Sequence, residues 1–347
     1  MRVRGLETLR NLASRRRARV HPGGTILMYH RIADTDGDPW GNCVSAAHFE
    51  QQLEVIRRLV NPCRLSDITD CLERGERPRG KVVLTFDDGY ADNYHVARPL
   101  LHAHDTPATF FLVSNRVGSS EPYWWDELAD VLLRVGRLPE SLTLMLDGQA
   151  QELRLDDAVV YAAAERRADR ARWAWAARSG SRLGFYYRVW KLLRPLSEAA
   201  RSTELTKIRA WASCPRPPRA APISITAREA ETLVREDLIE IGSHSKSHPS
   251  LPDLSPALQL QELTHSKAAL EAVAGRPVRS FAYPYGDYGR DTPGLVREAG
   301  YTSACTTVSG QVRPNSDPFL LPRIAVLDWS GDEFERRLAR YLGHRYS

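Results

Sequence analysis

Short apolar, β-branched runs alternate with segments of helical periodicity along most of this chain. Residues 25–29 (TILMY) read as a strand, and residues 49–60 as a helix with Phe49, Leu53, Ile56 and Val60 on one side. Strands at 81–86 and 108–113 follow, with a helix over 93–102 between them. A second series runs helix 227–235, strand 238–242, helix 256–273, strand 278–283 and helix 293–299. Strands at 303–308 and 320–326 and a helix over 332–342 complete it. Repeated βα units call for a mainly parallel sheet covered by helices, open or closed into a barrel. In either form the functional site belongs at the carboxyl ends of the strands.

Residues 114–221 break the alternation. They hold six of the eight tryptophans, are rich in Ala and Arg, and end in the stiff stretch Pro215, Pro217, Pro218. Helices are expected at 125–134, 158–178 and 185–193, which makes this segment an inserted helical subdomain. The chain therefore divides into an arm (1–20), a main α/β domain (21–113 and 222–347) and the insertion (114–221). Trp124–Trp125 and Trp173/Trp175 read first as helical core and second as platforms for a sugar.

Composition narrows the class. With 42% hydrophobic residues over 347, the chain can bury a real core, which excludes global disorder. No apolar run approaches the roughly 18 residues that span a bilayer. Five cysteines without a CxxC pair suit a reducing compartment. The net charge of +5 is uneven: residues 1–20 carry seven Arg and one Glu, and residues 121–220 carry seventeen basic and thirteen acidic residues. The arm has no apolar core of a secretory signal, so the expected location is cytoplasmic. Leu6, Leu9 and Leu12 share a helical face, with Arg2, Arg10 and Arg15 to Arg17 elsewhere, a pattern for peripheral contact with an anionic membrane. A solvated terminus is the plain alternative. Nucleic acid is not an expected partner, because no aromatic residues interleave with a basic sheet face and no helix-turn-helix pattern occurs.

Four segments at strand ends carry candidate chemistry. In Thr85-Phe86-Asp87-Asp88-Gly89-Tyr90, two adjacent acids end an apolar strand, which is costly unless they bind a cation or shift a pKa. Where the strand breaks at Gly89 both can turn to one site; an acidic turn capping the next helix is the bland alternative. Gly242-Ser243-His244-Ser245-Lys246-Ser247-His248 places two imidazoles where they face one metal if the turn between them is helical. With Asp88 they make a ligand set for Zn²⁺ or a similar ion, although surface histidines look the same in isolation. Arg279, read on the strand leading to Tyr283-Pro284-Tyr285-Gly286, needs an acid if buried, and Asp87 is the acid left over. That pairing would keep Asp87 ionised as a general base, while the Tyr285 turn could aim an N–H at an oxyanion. His30 ends the first strand, as a buried histidine or a proton donor.

These segments resemble the polysaccharide deacetylases of carbohydrate esterase family four, the NodB-homology fold. The family's TFDDG motif matches Thr85 to Gly89, its H-[ST]-x-x-H motif matches His244, Ser245 and His248, and its arginine with proline-aromatic motif matches Arg279, Pro284 and Tyr285. The resemblance covers about 25–113 and 222–326 and leaves out the arm and insertion. It implies a distorted (β/α) barrel and metal-dependent removal of N-acetyl groups from amino sugars. Asp88, His244 and His248 would hold one divalent ion, Zn²⁺ first with Co²⁺, Ni²⁺ or Mn²⁺ as alternatives. Asp87 would be the base, Arg279 would orient it, and the Tyr285 N–H would serve the oxyanion. The family's late Leu-x-His segment has no counterpart, since residues 320–326 (LLPRIAV) hold no histidine. His30 stands in for the missing acid, with a proton returned by Asp87 as the alternative. The expected substrate is an N-acetylated amino sugar in a glycan or in a lipid-linked or nucleotide-linked saccharide, used in envelope or exopolysaccharide synthesis. A small soluble acetylated glycoside and a non-catalytic glycan- or lipid-binding relative are the rival readings.

Overall fold

The computed structural model describes residues 23–35, 37–146, 148–215 and 223–342; the basic arm at 1–20 and His344 lie outside them. The chain forms two compact units, one of residues 23–34, 42–119 and 224–342 and the other of residues 35–41 and 120–223. No helix among the described residues is long and apolar enough to cross a membrane.

The first unit is built on a closed barrel of seven parallel strands: β1 (Thr25–Tyr29), β2 (Val82–Phe86), β3 (Ala108–Leu112), β4 (Ile239–Ser243), β5 (Ser280–Ala282), β6 (Ser303–Ser309) and β7 (Leu321–Ala325). Their order around the barrel is their order in the chain, and β7 pairs back onto β1. Every residue of β1, β2 and β3 is buried, as strands covered on both faces require. Alternate side chains divide between two cores. Ile26, Val83, Phe111, Ala282, Cys305 and Leu321 fill the interior. Leu27, Leu84, Phe110 and Phe281 belong to the layer between barrel and helices, with Leu53, Ile56, Leu233, Leu263 and Leu338. The barrel is distorted at two places. Strands β4 and β5 share the single register pair Ser243 and Phe281, and the register of β6 against β7 shifts between Cys305 and Ser309.

The second unit departs from the all-helical expectation. Helices Trp124–Arg134, Arg182–Leu193 and Glu198–Trp211 are joined by an antiparallel hairpin of Ser141–Leu146 and Gln149–Arg154. The helix expected over 158–178 is broken into short turns around one helix, Ala163–Arg170. The break follows from a backbone donor drawn off the helix: Ala174 N–H bonds the Pro39 carbonyl at 2.7 Å. Arg182, almost fully buried, donates to the carbonyls of Leu132, Val135, Ala158 and Val159, so one guanidinium closes several chain ends. The tryptophans divide: Trp125 is buried, while Trp173 and Trp175 stack on each other and stay exposed.

Gly242 marks a tight approach inside the barrel. A Cβ there would lie 2.4 Å from Phe111 Cδ1 and 2.8 Å from Ser280 Oγ. Gly242→Ala is therefore expected to lower stability by about 1–3 kcal/mol in urea denaturation, from overpacking alone.

Candidate metal centre and active site

The site gathers at the carboxyl end of the barrel. Asp87 follows β2, and its N–H donates to the Tyr29 carbonyl at 3.0 Å, which extends the β1–β2 ladder by one step. Its side chain keeps the inward alternation of Val83 and Thr85. Asp88 would then point outward, but its φ of +71° and that of Gly89 at +68° turn the chain so that it faces the same site. Gly89 is required twice over, by its φ and because a Cβ would meet Leu112 Cδ2 at 2.6 Å.

Three ligand-type residues meet there. Asp88, His244 and His248 are all buried, and their donor atoms lie within 4.8 Å of one another. Asp88 Oδ1 is 3.5 Å from His244 Nε2 and 3.3 Å from His248 Nε2. Ligand bonds of about 2.0–2.2 Å at tetrahedral angles separate neighbouring ligands by about 3.4 Å, so the spacing fits a small divalent ion. The tautomer fits as well. His244 Nδ1 lies 2.7 Å from the Ala282 carbonyl, to which it donates, leaving the Nε2 lone pair toward Asp88. Burial pushes the His248 imidazole down to about 4, the neutral form that a ligand needs.

The two histidines do not converge by a helical turn. Residues 244–248 form an irregular loop in which Ser245 (φ +66°) and His248 (φ +59°) are left-handed. Among the described residues seven non-glycine positions have positive φ, and four of them, Asp88, Ser245, His248 and Tyr285, are at this site. Such clustering is a mark of a functional centre. Tyr285 sits in the turn Pro284–Gly286, and its ring meets His248 edge to face with centroids 4.5 Å apart.

Asp87 is held by arginine, but by a different one from that expected. Arg279 precedes β5 at the opposite, amino end of its strand and is exposed, so it cannot reach Asp87. Arg323 of β7 is fully buried and makes a two-pronged pair with Asp87, Nη1 to Oδ1 and Nη2 to Oδ2, each 2.7 Å. Its Nη1 also donates to Thr85 Oγ1 at 3.1 Å, and its Nε to the Thr306 carbonyl at 2.9 Å. The signal was in the sequence: Arg323 is the one charge in the apolar run 320–326 and has the parity of the inward Leu321. His30 stands after β1, half-buried, near enough to Asp87 and Asp88 that an imidazolium there would favour both carboxylates. Asn93 Nδ2 fixes its carbonyl at 2.7 Å.

Charge balance explains the titration. Burial alone would raise the Asp87 carboxyl, but the Arg323 guanidinium outweighs it and holds Asp87 below the usual carboxylate range. Asp88 too is pulled below its ordinary value, against burial, by its bonds to His244 and His248. Two carboxylates and one guanidinium leave a surplus negative charge. Burial opposes a proton on His244, yet Asp87 and Asp88 raise its pKa, and a divalent cation would supply the same balance more fully. Replacing Arg323 by Met is expected to cost about 3–5 kcal/mol, because a buried carboxylate loses its partner. Arg279→Ala is expected to change stability by less than about 0.5 kcal/mol. Since the folded Asp87 pKa is depressed, its contribution is present above the unfolded value near about 4 and is lost as pH falls below it. Urea titrations of wild type and R323M should therefore differ most near neutrality and converge in acid.

Comparison with known proteins agrees with this geometry. The family model described as polysaccharide deacetylase matches residues 74–147 and 216–304. A putative polysaccharide deacetylase, YxkH of Bacillus subtilis, is 34% identical over 100 residues, 27% of this chain and 33% of that protein. The poly-β-1,6-N-acetyl-D-glucosamine N-deacetylase of Staphylococcus aureus is 28% identical over 127 residues, 34% of this chain and 43% of that protein. The chain thus spans less than half the length of these curated relatives. IcaB from Ammonifex degensii superposes with a TM-score of 0.56 at 18% identity, covering 92% of this chain and 97% of that one. The Streptococcus pyogenes deacetylase PplD, solved with acetate, gives 0.51 at 19% identity over 90% and 96%. At these identities the likeness to the solved structures is one of fold, and with the sequence match it leads to one conclusion: over its barrel segments this chain is similar to the polysaccharide deacetylases, whose family model matches just under half of its residues.

Proposed function

We propose that this chain hydrolyses the N-acetyl group of an amino sugar within a saccharide, using a divalent ion held by Asp88, His244 and His248. The observation that carries the reading is the juxtaposition of an Arg323-bound Asp87 with that three-donor set at the mouth of a deacetylase-family barrel. One carboxylate and two imidazoles favour Zn²⁺. Such an ion supplies Lewis-acid polarisation of a carbonyl and a more acidic water.

The chain's own groups divide the remaining work. Asp87 takes the proton of the attacking water, and Arg323 keeps its carboxylate ionised and aligned. The Tyr285 N–H is assigned to the developing oxyanion, presented by the left-handed turn at φ +58°. His30 is assigned the proton delivered to the departing amine, supported by its half-buried place at the carboxyl end of β1, beside the strand that leads to Asp87 and Asp88. The named substrate of the Staphylococcus aureus relative makes an N-acetylglucosamine exopolysaccharide the first polymer to test. A lipid-linked or nucleotide-linked precursor at the inner face of the membrane is the second, favoured by the seven arginines of residues 1–20.

Asp87→Asn is expected to lower acetate release by about 10²–10⁴-fold while one divalent ion per chain remains bound. A double variant, His244→Ala with His248→Ala, should lose the metal. Acetate assays on N-acetylglucosamine oligomers, beside metal analysis by mass spectrometry, separate the two roles. Full turnover by D87N would remove Asp87 as the base.

A further inference from the structure

We propose that Glu262 is a positioning residue for the metal centre, holding the loop between His244 and His248 in the conformation that turns both imidazoles toward Asp88. The inference rests on Asp88, His244 and His248 being metal ligands, not on the reaction assigned to them. Glu262 lies on the helix Pro256–Ala274, in its second turn. Its Oε2 accepts from the N–H groups of Lys246 and Ser247 at 3.0 and 2.9 Å, and its Oε1 from Ser247 Oγ at 2.7 Å. Three donors from two successive residues converge on one carboxylate at the apex of the loop.

The opposite side of the loop is fastened too. Ser114 N–H donates to the Ser245 carbonyl at 3.1 Å, and Asn115 N–H to the Lys246 carbonyl at 3.0 Å. Ser245 Oγ accepts from His248 N–H at 2.9 Å. Left-handed backbone at Ser245 and His248 persists only where surrounding bonds over-determine it. Among these bonds the ones to Glu262 are charge-assisted, hence the strongest. The carboxylate belongs to a long helix packed on the barrel, so the loop takes its position from a rigid element, not from its own sequence. Without that anchor the two Nε2 atoms lose their fixed spacing, and metal affinity falls although every ligand is present.

The test uses the full chain as wild type, Glu262→Ala, Glu262→Gln and Ser247→Ala. Zn²⁺ affinity is measured by chelator competition near neutral pH, and the visible spectrum of the Co²⁺-loaded protein reports ligand geometry. E262A should bind Zn²⁺ about 10–100-fold more weakly, with displaced Co²⁺ bands. E262Q should recover to within about fivefold, because its amide oxygen still accepts both N–H groups and its NH₂ can donate to Ser247 Oγ. S247A, which removes one of three bonds, should fall between. If E262A does not fold, S247A carries the test beside E262Q: weaker Zn²⁺ binding with shifted Co²⁺ bands in S247A than in E262Q supports the proposal, and wild-type affinity and spectrum in S247A overturn it. Wild-type affinity and spectrum in folded E262A overturn it as well, and so does an E262Q no better than E262A. A wild-type chain that binds no metal removes the ligand assignment and this inference together. Tight Zn²⁺ binding without acetate release removes the proposed reaction and leaves the role of Glu262 standing.

Discussion

A carboxylate and a guanidinium sealed inside a barrel set the terms for the rest of the structure. Neither Asp87 nor Arg323 can be buried alone, and the pair is tolerable only with its remaining donors satisfied. Thr85 Oγ1 and the Thr306 carbonyl complete Arg323. The second of these gives a reason for the irregularity of β6. The register against β7 shifts between Cys305 and Ser309, the stretch that contains the Thr306 carbonyl given to the guanidinium. The distortion of the barrel and the orientation of Asp87 are therefore one feature.

Around that pair, two kinds of scaffold share the site. Asp87 and Arg323 project from, or directly after, regular strands, where parity fixes their direction. Asp88, His248 and Tyr285 come from backbone that a regular strand or helix cannot supply, each with positive φ. The strands give a rigid frame and the strained turns aim the groups. Bonds from neighbouring elements hold that strain in place, those of Glu262 and Ser114 among them.

What the sequence shows and what it hides follow the same division. Barrel strands were legible because burial on both faces makes continuous apolar runs, and the acids and histidines were legible because polar groups ending such runs stand out. Arg323 was passed over in favour of Arg279 because the choice depends on which end of a strand a residue occupies, and a shift of two residues in the start of β5 moves Arg279 outside. The helical turn taken as the condition for His244 and His248 to face one ion proved unnecessary for a related reason: spacing permits a turn without specifying its backbone. In the second unit, residues 141–146 alternate buried and outward side chains around Leu142 and Leu144, but the partner strand 149–154 is almost wholly exposed and carries no pattern of its own. Helix Glu198–Trp211 was equally silent, since Arg201 and Glu204 are buried on a face that apolar periodicity would not mark.

The sequential order of the strands has a consequence for how the molecule is made. Strand β1 lies between β2 and β7, so the barrel closes only when the last strand arrives beside the first. Asp87 and Arg323 stand 236 residues apart, with residues 120–223 of the second unit between them. During synthesis Asp87 therefore exists for most of the chain's length without its counter-charge, and the centre cannot assemble piecemeal. Closing so long a loop is slow. Until it closes, the open edges of β1 and of the latest strand are the exposed seams of the growing protein.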